Sequence, residues 1–129
     1  MYVWSKSYQD AFHLNYLYYD GDFIFFYLKE YEVVGCYKDK QDREIETLEG
    51  KDSILDGAYN SRANPIAKCA LAAMRQVYSM FAVQNGGWCA ASATALQTFN
   101  EYGKSMDCKA DGEGGPWANN VYILRRTFL

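Results

Sequence analysis

Phe81-Ala82-Val83-Gln84-Asn85-Gly86-Gly87-Trp88-Cys89 is the stretch around which the rest of the chain is read. Phe81 and Val83 alternate with Ala82 and Gln84, the period of a β-strand with one buried side and one side free to be polar. The strand, Met80 to Gln84, then meets a double-glycine turn and stops at a tryptophan beside a cysteine. Upstream, Asn64-Pro65 marks a helix start. Asn caps an orphan amide, and Pro at the first helical position has no amide to leave unpaired. The helix is expected over residues 65–78, with Ile66, Cys69, Ala70, Ala73 and Val77 on one inward face. Alanines at 67, 70, 72 and 73 keep it thin enough to lie close to a sheet. Downstream, a second helix is expected from Ser92 or Thr94 to Tyr102, with Leu96 and Phe99 inward and Gly103 as its C-terminal cap. A glycine-rich loop, residues 108–118, leads to a closing strand over 120–124.

The remaining parts are less regular. Val33-Val34-Gly35-Cys36-Tyr37 reads as a short strand. Residues 38–64 are polar and turn-rich, with turns at 49–53 and 59–61 and with Ile45, Leu48, Ile54 and Leu55 as buried anchors. Residues 1–35 hold 12 of the 22 aromatic residues, and two lysines against five acids. Tyr8, Phe12, Tyr16 and Tyr19 fit a helical stripe, and residues 23–28 fit a short strand after an Asp20-Gly21-Asp22 turn. Residues 1–32 are read as an aromatic-rich leader foreign to the domain, as against a tyrosine-rich contact surface. Residues 33–124 are read as the domain and 125–129 as a tail.

A chain of 129 residues, half of them hydrophobic, suits one domain with a small core. A net charge of −3 with no basic stripe gives no footing for nucleic acid. No apolar run exceeds the six residues of 23–28, far too short for a membrane span, and no stretch after Met1 has the form of a secretory signal.

The four cysteines, Cys36, Cys69, Cys89 and Cys108, are separated by 33, 20 and 19 residues with no C-x-x-C pair, and the single histidine, His13, lies outside their region. Structural zinc needs ligands in close pairs, so no metal is expected. Two disulfides are expected in preference to four buried thiols, which implies an oxidising compartment and an extracellular or cell-surface protein. Three pairings are possible.

These residues together resemble the WSC domain family, a small extracellular module of the PAN/apple-like type, over about residues 33–124. The resemblance rests on Val34-Gly35-Cys36-Tyr37-Lys38-Asp39 with Arg43, Cys69 on the helix, and Phe81 through Ala90. Tyr102-Gly103 before Cys108, then Gly114-Gly115, Asn119-Asn120, Val121 and Tyr122, complete it. The family usually carries about eight cysteines, so this chain resembles a reduced, four-cysteine form. The resemblance implies Cys36–Cys108 and Cys69–Cys89 bridges, with which the inward placing of Cys69 agrees. The expected fold is α+β: a small twisted antiparallel sheet on one main helix, with two disulfides.

Catalysis has little support. His13 is the only imidazole, no base stands beside a nucleophile, and there is no phosphate-cradling loop or G-x-S-x-G. No enzyme activity and no cofactor are expected. Asp107, Asp111 and Glu113 read as a solvated acidic loop, with a calcium role for Asp111 and Glu113 weakly argued by two carboxylates. Trp88 and Trp117 both follow glycine pairs in loops that can meet at one sheet edge. With the amides of Gln84, Asn85, Asn119 and Asn120 they suit a sugar, which offers an apolar ring face and a rim of hydroxyls. Against this, Trp88 can shield the adjacent cysteine, Trp117 can plug the core, and Asn119 and Asn120 can cap turns. The expected partner is a glycan, which the resemblance also implies, or else an extracellular protein bound by an adhesion or scaffold module.

Overall fold

The computed structural model describes the backbone of residues 3–8, 14–19 and 22–128 and the side chains of residues 31–125. The chain divides into two compact units, one from residues 1–32 with 124–129, the other Val33–Ile123. In the first, strands β1 (Val3–Tyr8), β2 (Leu14–Tyr19) and the early part of β3 (Asp22–Lys38) form an antiparallel meander, with Tyr16 opposite Phe25 and Tyr19 opposite Asp22. The helical stripe expected through Tyr8, Tyr16 and Tyr19 is therefore corrected to strand. Aromatic residues at this density fit a pleated surface better than a helix, where they lose side-chain freedom. Phe12 and the turn residues Asp20 and Gly21 lie outside the described residues.

The second unit is an α+β domain. Its sheet has the order β3-β6-β4-β5, built from the end of β3, β4 (Met80–Gln84), β5 (Trp88–Ala91) and β6 (Ala118–Phe128), where it is antiparallel throughout. Residues 125–128, expected as tail, continue β6. Helix α1 (Pro65–Arg75) packs on β4 and β5. A one-turn helix, α2 (Ala95–Thr98), follows β5.

All five residues of β4 are buried, so the expected polar side does not exist. Phe81 and Val83 sit on the side of Cys89, under α1, and Phe81 stacks on Tyr122 with ring centroids 5.0 Å apart. Met80 and Ala82 lie on the opposite side in a cluster with Tyr37, Ile45, Ala90, Ala95 and Val121. The polar loop after β3 and the α2 segment supply that second cover. A strand cannot show from its own residues that a distant loop will shield its second side.

Two disulfides join the layers. Cys69 of α1 is bonded to Cys89 of β5, and Cys36 of β3 to Cys108 of the late loop. Loop-closure arguments value them at roughly 3 and 4.5 kcal/mol respectively, which is substantial for so small a core.

Three helix details differ from expectation. Asn64 precedes α1 in the left-handed region (φ 51°) and its side chain makes no capping bond. The fixed φ of Pro65 starts the helix without it. Helix α2 stops at Thr98 because the chain beyond it is held elsewhere: Thr98 Oγ1 donates to Glu44 O, and the Glu101 amide donates to Glu44 Oε2 at 2.7 Å. Leu96 is consequently exposed, whereas Phe99 packs edge-on against Tyr37 at 5.0 Å, and Gly103 (φ 83°) shapes a later turn instead of ending the helix.

Helix α1 ends earlier than residue 78. The Tyr78 amide donates to Ala73 O at 3.0 Å and the Val77 amide to Met74 O at 2.9 Å. This crossed pair is a Schellman ending, which requires a left-handed residue and favours glycine there. Val77 occupies that position at φ 61°, and it is 73% exposed instead of inward. Nothing in the structure explains a valine here. Replacing it relieves a β-branched residue from a conformation that costs about 1–2 kcal/mol and removes little buried surface. Val77→Gly is expected to stabilise the protein by about 1 kcal/mol after the added chain entropy of glycine, read as a higher denaturant midpoint with unchanged slope.

Candidate ligand-binding site

The site grows from the β4–β5 hairpin. Asn85 (φ 50°) and Gly86 (φ 89°) both take left-handed conformations, the signature of a tight hairpin turn, and the Gly87 amide closes it onto Gln84 O at 3.1 Å. Gly87 adds one residue, so Gln84 registers with Trp88. A side chain at 87 would put a Cβ 2.2 Å from the carbonyl oxygen of Tyr59. Glycine here lets the 59–61 turn sit directly on the hairpin.

That turn is fixed by Arg62. Its guanidinium forms a bidentate pair with Glu49 at 2.7 and 2.8 Å and donates to Gly87 O at 2.7 Å and Leu55 O at 2.5 Å. Glu49 Oε2 in turn accepts from the Cys89 amide at 2.8 Å. The phenol of Tyr59 is thereby held beside Asn85, whose Nδ2 donates to it at 3.3 Å.

The second wall is set by a buried polar group. Asp39 follows β3, and its side chain has no solvent exposure. Its Oδ2 accepts from Arg43 one helical turn's spacing away and from Gln84 Nε2 at 2.7 Å. Gln84 Nε2 also donates to Asn119 Oδ1 at 2.8 Å, and Gln84 Oε1 accepts from Arg43 at 3.3 Å. So anchored, the Arg43 guanidinium lies between two indoles, its carbon 4.2 Å from the Trp88 ring centre and 4.7 Å from that of Trp117. A cation facing an aromatic ring is attracted by the ring quadrupole, and here one cation serves two rings.

Trp117 is placed by a turn of its own. In Gly115-Pro116-Trp117-Ala118 the end residues exchange backbone bonds at 3.0 and 3.1 Å. Trp117 has φ 52° at the third position, where a positive φ normally calls for glycine. The residue is 50% exposed. Its carbonyl accepts from the Asp39 amide at 2.9 Å, which ties this turn to the end of β3.

An open cleft of about 290 Å³ results, lined by Arg43, Tyr59, Gln84, Asn85, Trp88 and Trp117, with Pro116 at its rim. Of the residues singled out from sequence, Gln84, Asn85, Trp88 and Trp117 meet here. Trp88 is half-buried with one face on Arg43, and Trp117 is the more open ring. Asn119 and Asn120 stand behind the cleft. Asn119 is 1% exposed and bonded to Gln84, and Asn120 Oδ1 accepts from the Gly114 amide at 2.7 Å. Arg43 and Tyr59 are additions. The Asp39-to-Arg43 spacing is a faint signal for the first, and no sequence signal marks the second.

Among the described residues, no group of three or more His, Cys, Asp or Glu side chains is arranged to hold a metal ion. Asp111 Oδ1 instead accepts from the Glu113 amide at 2.9 Å, an internal loop bond. No described helix is long and apolar enough to cross a membrane. No family model, curated protein or solved structure matches the chain.

Glu44, next to Arg43, has its carboxyl pushed up to about 7 by burial. The amides of Glu101 and Tyr102 oppose the shift, and the charges of Asp39 and Glu101 add to it. A folded value raised above the ordinary 4.5 means that the native state holds this proton more tightly. The resulting stability is fully present below the unfolded value and is lost as pH rises through about 7. Glu44→Gln keeps an acceptor for the Glu101 amide and removes the titration. Its melting temperature relative to wild type is expected to rise as pH increases from the ordinary carboxylate value through about 7 and to level off above it, in paired thermal melts that extend past both values.

Proposed function

We propose that this protein is an extracellular, non-catalytic recognition module that binds carbohydrate, with the Trp88–Arg43–Trp117 cleft as its site. The observation that carries the reading is Trp117. A bulky residue in a left-handed turn position costs of order 1–3 kcal/mol, yet here Trp117 occupies one and remains half exposed. Such strain is retained where the side chain has work to do. An exposed indole face beside the Asn85 amide, the Tyr59 phenol and Arg43 suits the apolar face and hydroxyl rim of a sugar ring.

The two disulfides support an oxidising environment. The resemblance to WSC domains supports the same class of ligand, and we propose this chain as a reduced, WSC-like member of that group. An alternative is a protein–protein adhesion module, since Trp, Tyr and Arg are also the residues that dominate protein interfaces.

A glycan array probed with the oxidised full-length chain separates the two. Defined-glycan binding is expected, and Trp117→Gly is expected to weaken it at least tenfold. The same substitution relieves backbone strain while losing one cation–π contact, so its unfolding free energy is expected to stay within about 1 kcal/mol of wild type. A blank array with both disulfides intact overturns the carbohydrate reading in favour of a protein partner.

A further inference from the structure

A second cleft adjoins the first. It has a volume of about 190 Å³ and is lined by Asn60, Asn85, Gly86, Lys109 and Asp111, with Gly114 and Gly115 at its base. Asn85 belongs to both clefts, and Tyr59 and Asn60 are consecutive, one in each. The two hollows therefore adjoin at the hairpin turn. Both fall below the range of about 300–1,000 Å³ that encloses a drug-sized ligand, so each suits a single ring-sized unit.

Their relative position is fixed by main-chain contacts. The Gly86 amide donates to Glu113 O at 2.9 Å, pinning the turn to the loop that carries Lys109 and Asp111. At Gly114 a Cβ would lie 2.4 Å from Val83 O and 2.6 Å from Ala118 O, so the loop rests directly on the strand ends. A face fixed in this way is preorganised, and a ligand spanning it does not have to order either wall.

The charges decide the ligand class. In the first cleft the Arg43 cation is neutralised by the buried Asp39. In the second, Lys109 and Asp111 both line the hollow, so its charged side chains are one of each sign. Neither hollow therefore carries a net positive charge to draw a carboxylate or sulfate. Both offer amides and mixed donors and acceptors of the kind that hydroxyl groups satisfy.

Resting on the carbohydrate reading above, we infer that the ligand is a neutral oligosaccharide lying across the Asn85 turn. One unit lies against Trp117 and the next lies between Asn60 and Lys109. The inner unit is recognised by ring stacking, the outer one by hydrogen bonds to the Asn60 amide and the Lys109 ammonium. Chain length, more than the identity of one sugar, then sets affinity.

The test is calorimetric titration of the oxidised full-length chain with neutral oligomers of glucose, mannose, xylose and N-acetylglucosamine. Each series runs from one to six units, with galacturonate oligomers as the acidic comparison. In the neutral series that binds, affinity is expected to rise at least tenfold between one unit and two or three, then flatten. The double substitution Asn60→Ala, Lys109→Ala is expected to abolish that rise and leave single-unit affinity unchanged. Both side chains are exposed, so the fold is preserved. Equal affinity for one unit and for longer chains overturns the inference, as does unchanged chain-length dependence in the double variant or tighter binding of galacturonate oligomers. A blank in every series overturns the carbohydrate reading itself.

Discussion

A carboxylate removed from water must be paired, or its desolvation is left uncompensated at a cost of several kcal/mol. Asp39 imposes that condition on this domain. Its side chain is wholly buried, and its Oδ2 is satisfied by Arg43 and Gln84 together, while Oδ1 has no protein hydrogen-bond partner. Meeting the condition fixes Arg43, whose flat cation then has only the space between Trp88 and Trp117. It also fixes Gln84 at the end of β4 and, through it, Asn119 of β6. Strand ends, cleft wall and aromatic stack are consequences of one buried charge.

The frame that keeps this charge buried is mostly covalent and steric. The Cys69–Cys89 bridge presses α1 onto the hairpin, and Cys36–Cys108 holds the late loop against β3. Gly87 and Gly114 admit carbonyl groups to within distances that no side chain tolerates. The apolar core contributes Phe81, Ile45, Leu71, Val83 and Val121 as its largest fully buried apolar side chains. Such a core gains from bridges that limit the unfolded chain.

Backbone strain separates the scaffold from the site. Asn64 and Asn85 have positive φ, but asparagine adopts that region readily. Val77 and Trp117 do not. Val77 ends a helix at a largely exposed position. Trp117 is different: its indole lies against Arg43 while the residue stays half exposed. The same local cost thus sits once at an indifferent surface position and once at the rim of a cleft.

The local signals are legible in the sequence. The double-glycine turn after Gln84, the start of α1 at Pro65 and the inward Cys69 each depend on neighbours within a few residues, and each is where its chemistry places it. The α+β class and the two bridges also stand as expected. Where local signals were weak, they misled: aromatic spacing in residues 8–19 fitted a helix by period but a strand by side-chain shape. Leu96 fell on an inward face only for a helix that Glu44 cuts short. Sequence alone therefore determined the strand Met80–Gln84 with its turn and the main helix, because those follow from residues adjacent along the chain, and the disulfide-tied class from the cysteine count and spacing. The return strand Trp88–Ala91, which reads as loop in sequence, is set by its pairing with β4. Only the tertiary structure decided the site. Arg43 meets Gln84 across 41 residues, Asp39 meets Gln84 across 45 and Gln84 meets Asn119 across 35. The burial that makes Asp39 demand those partners exists only once the sheet and its second cover have closed.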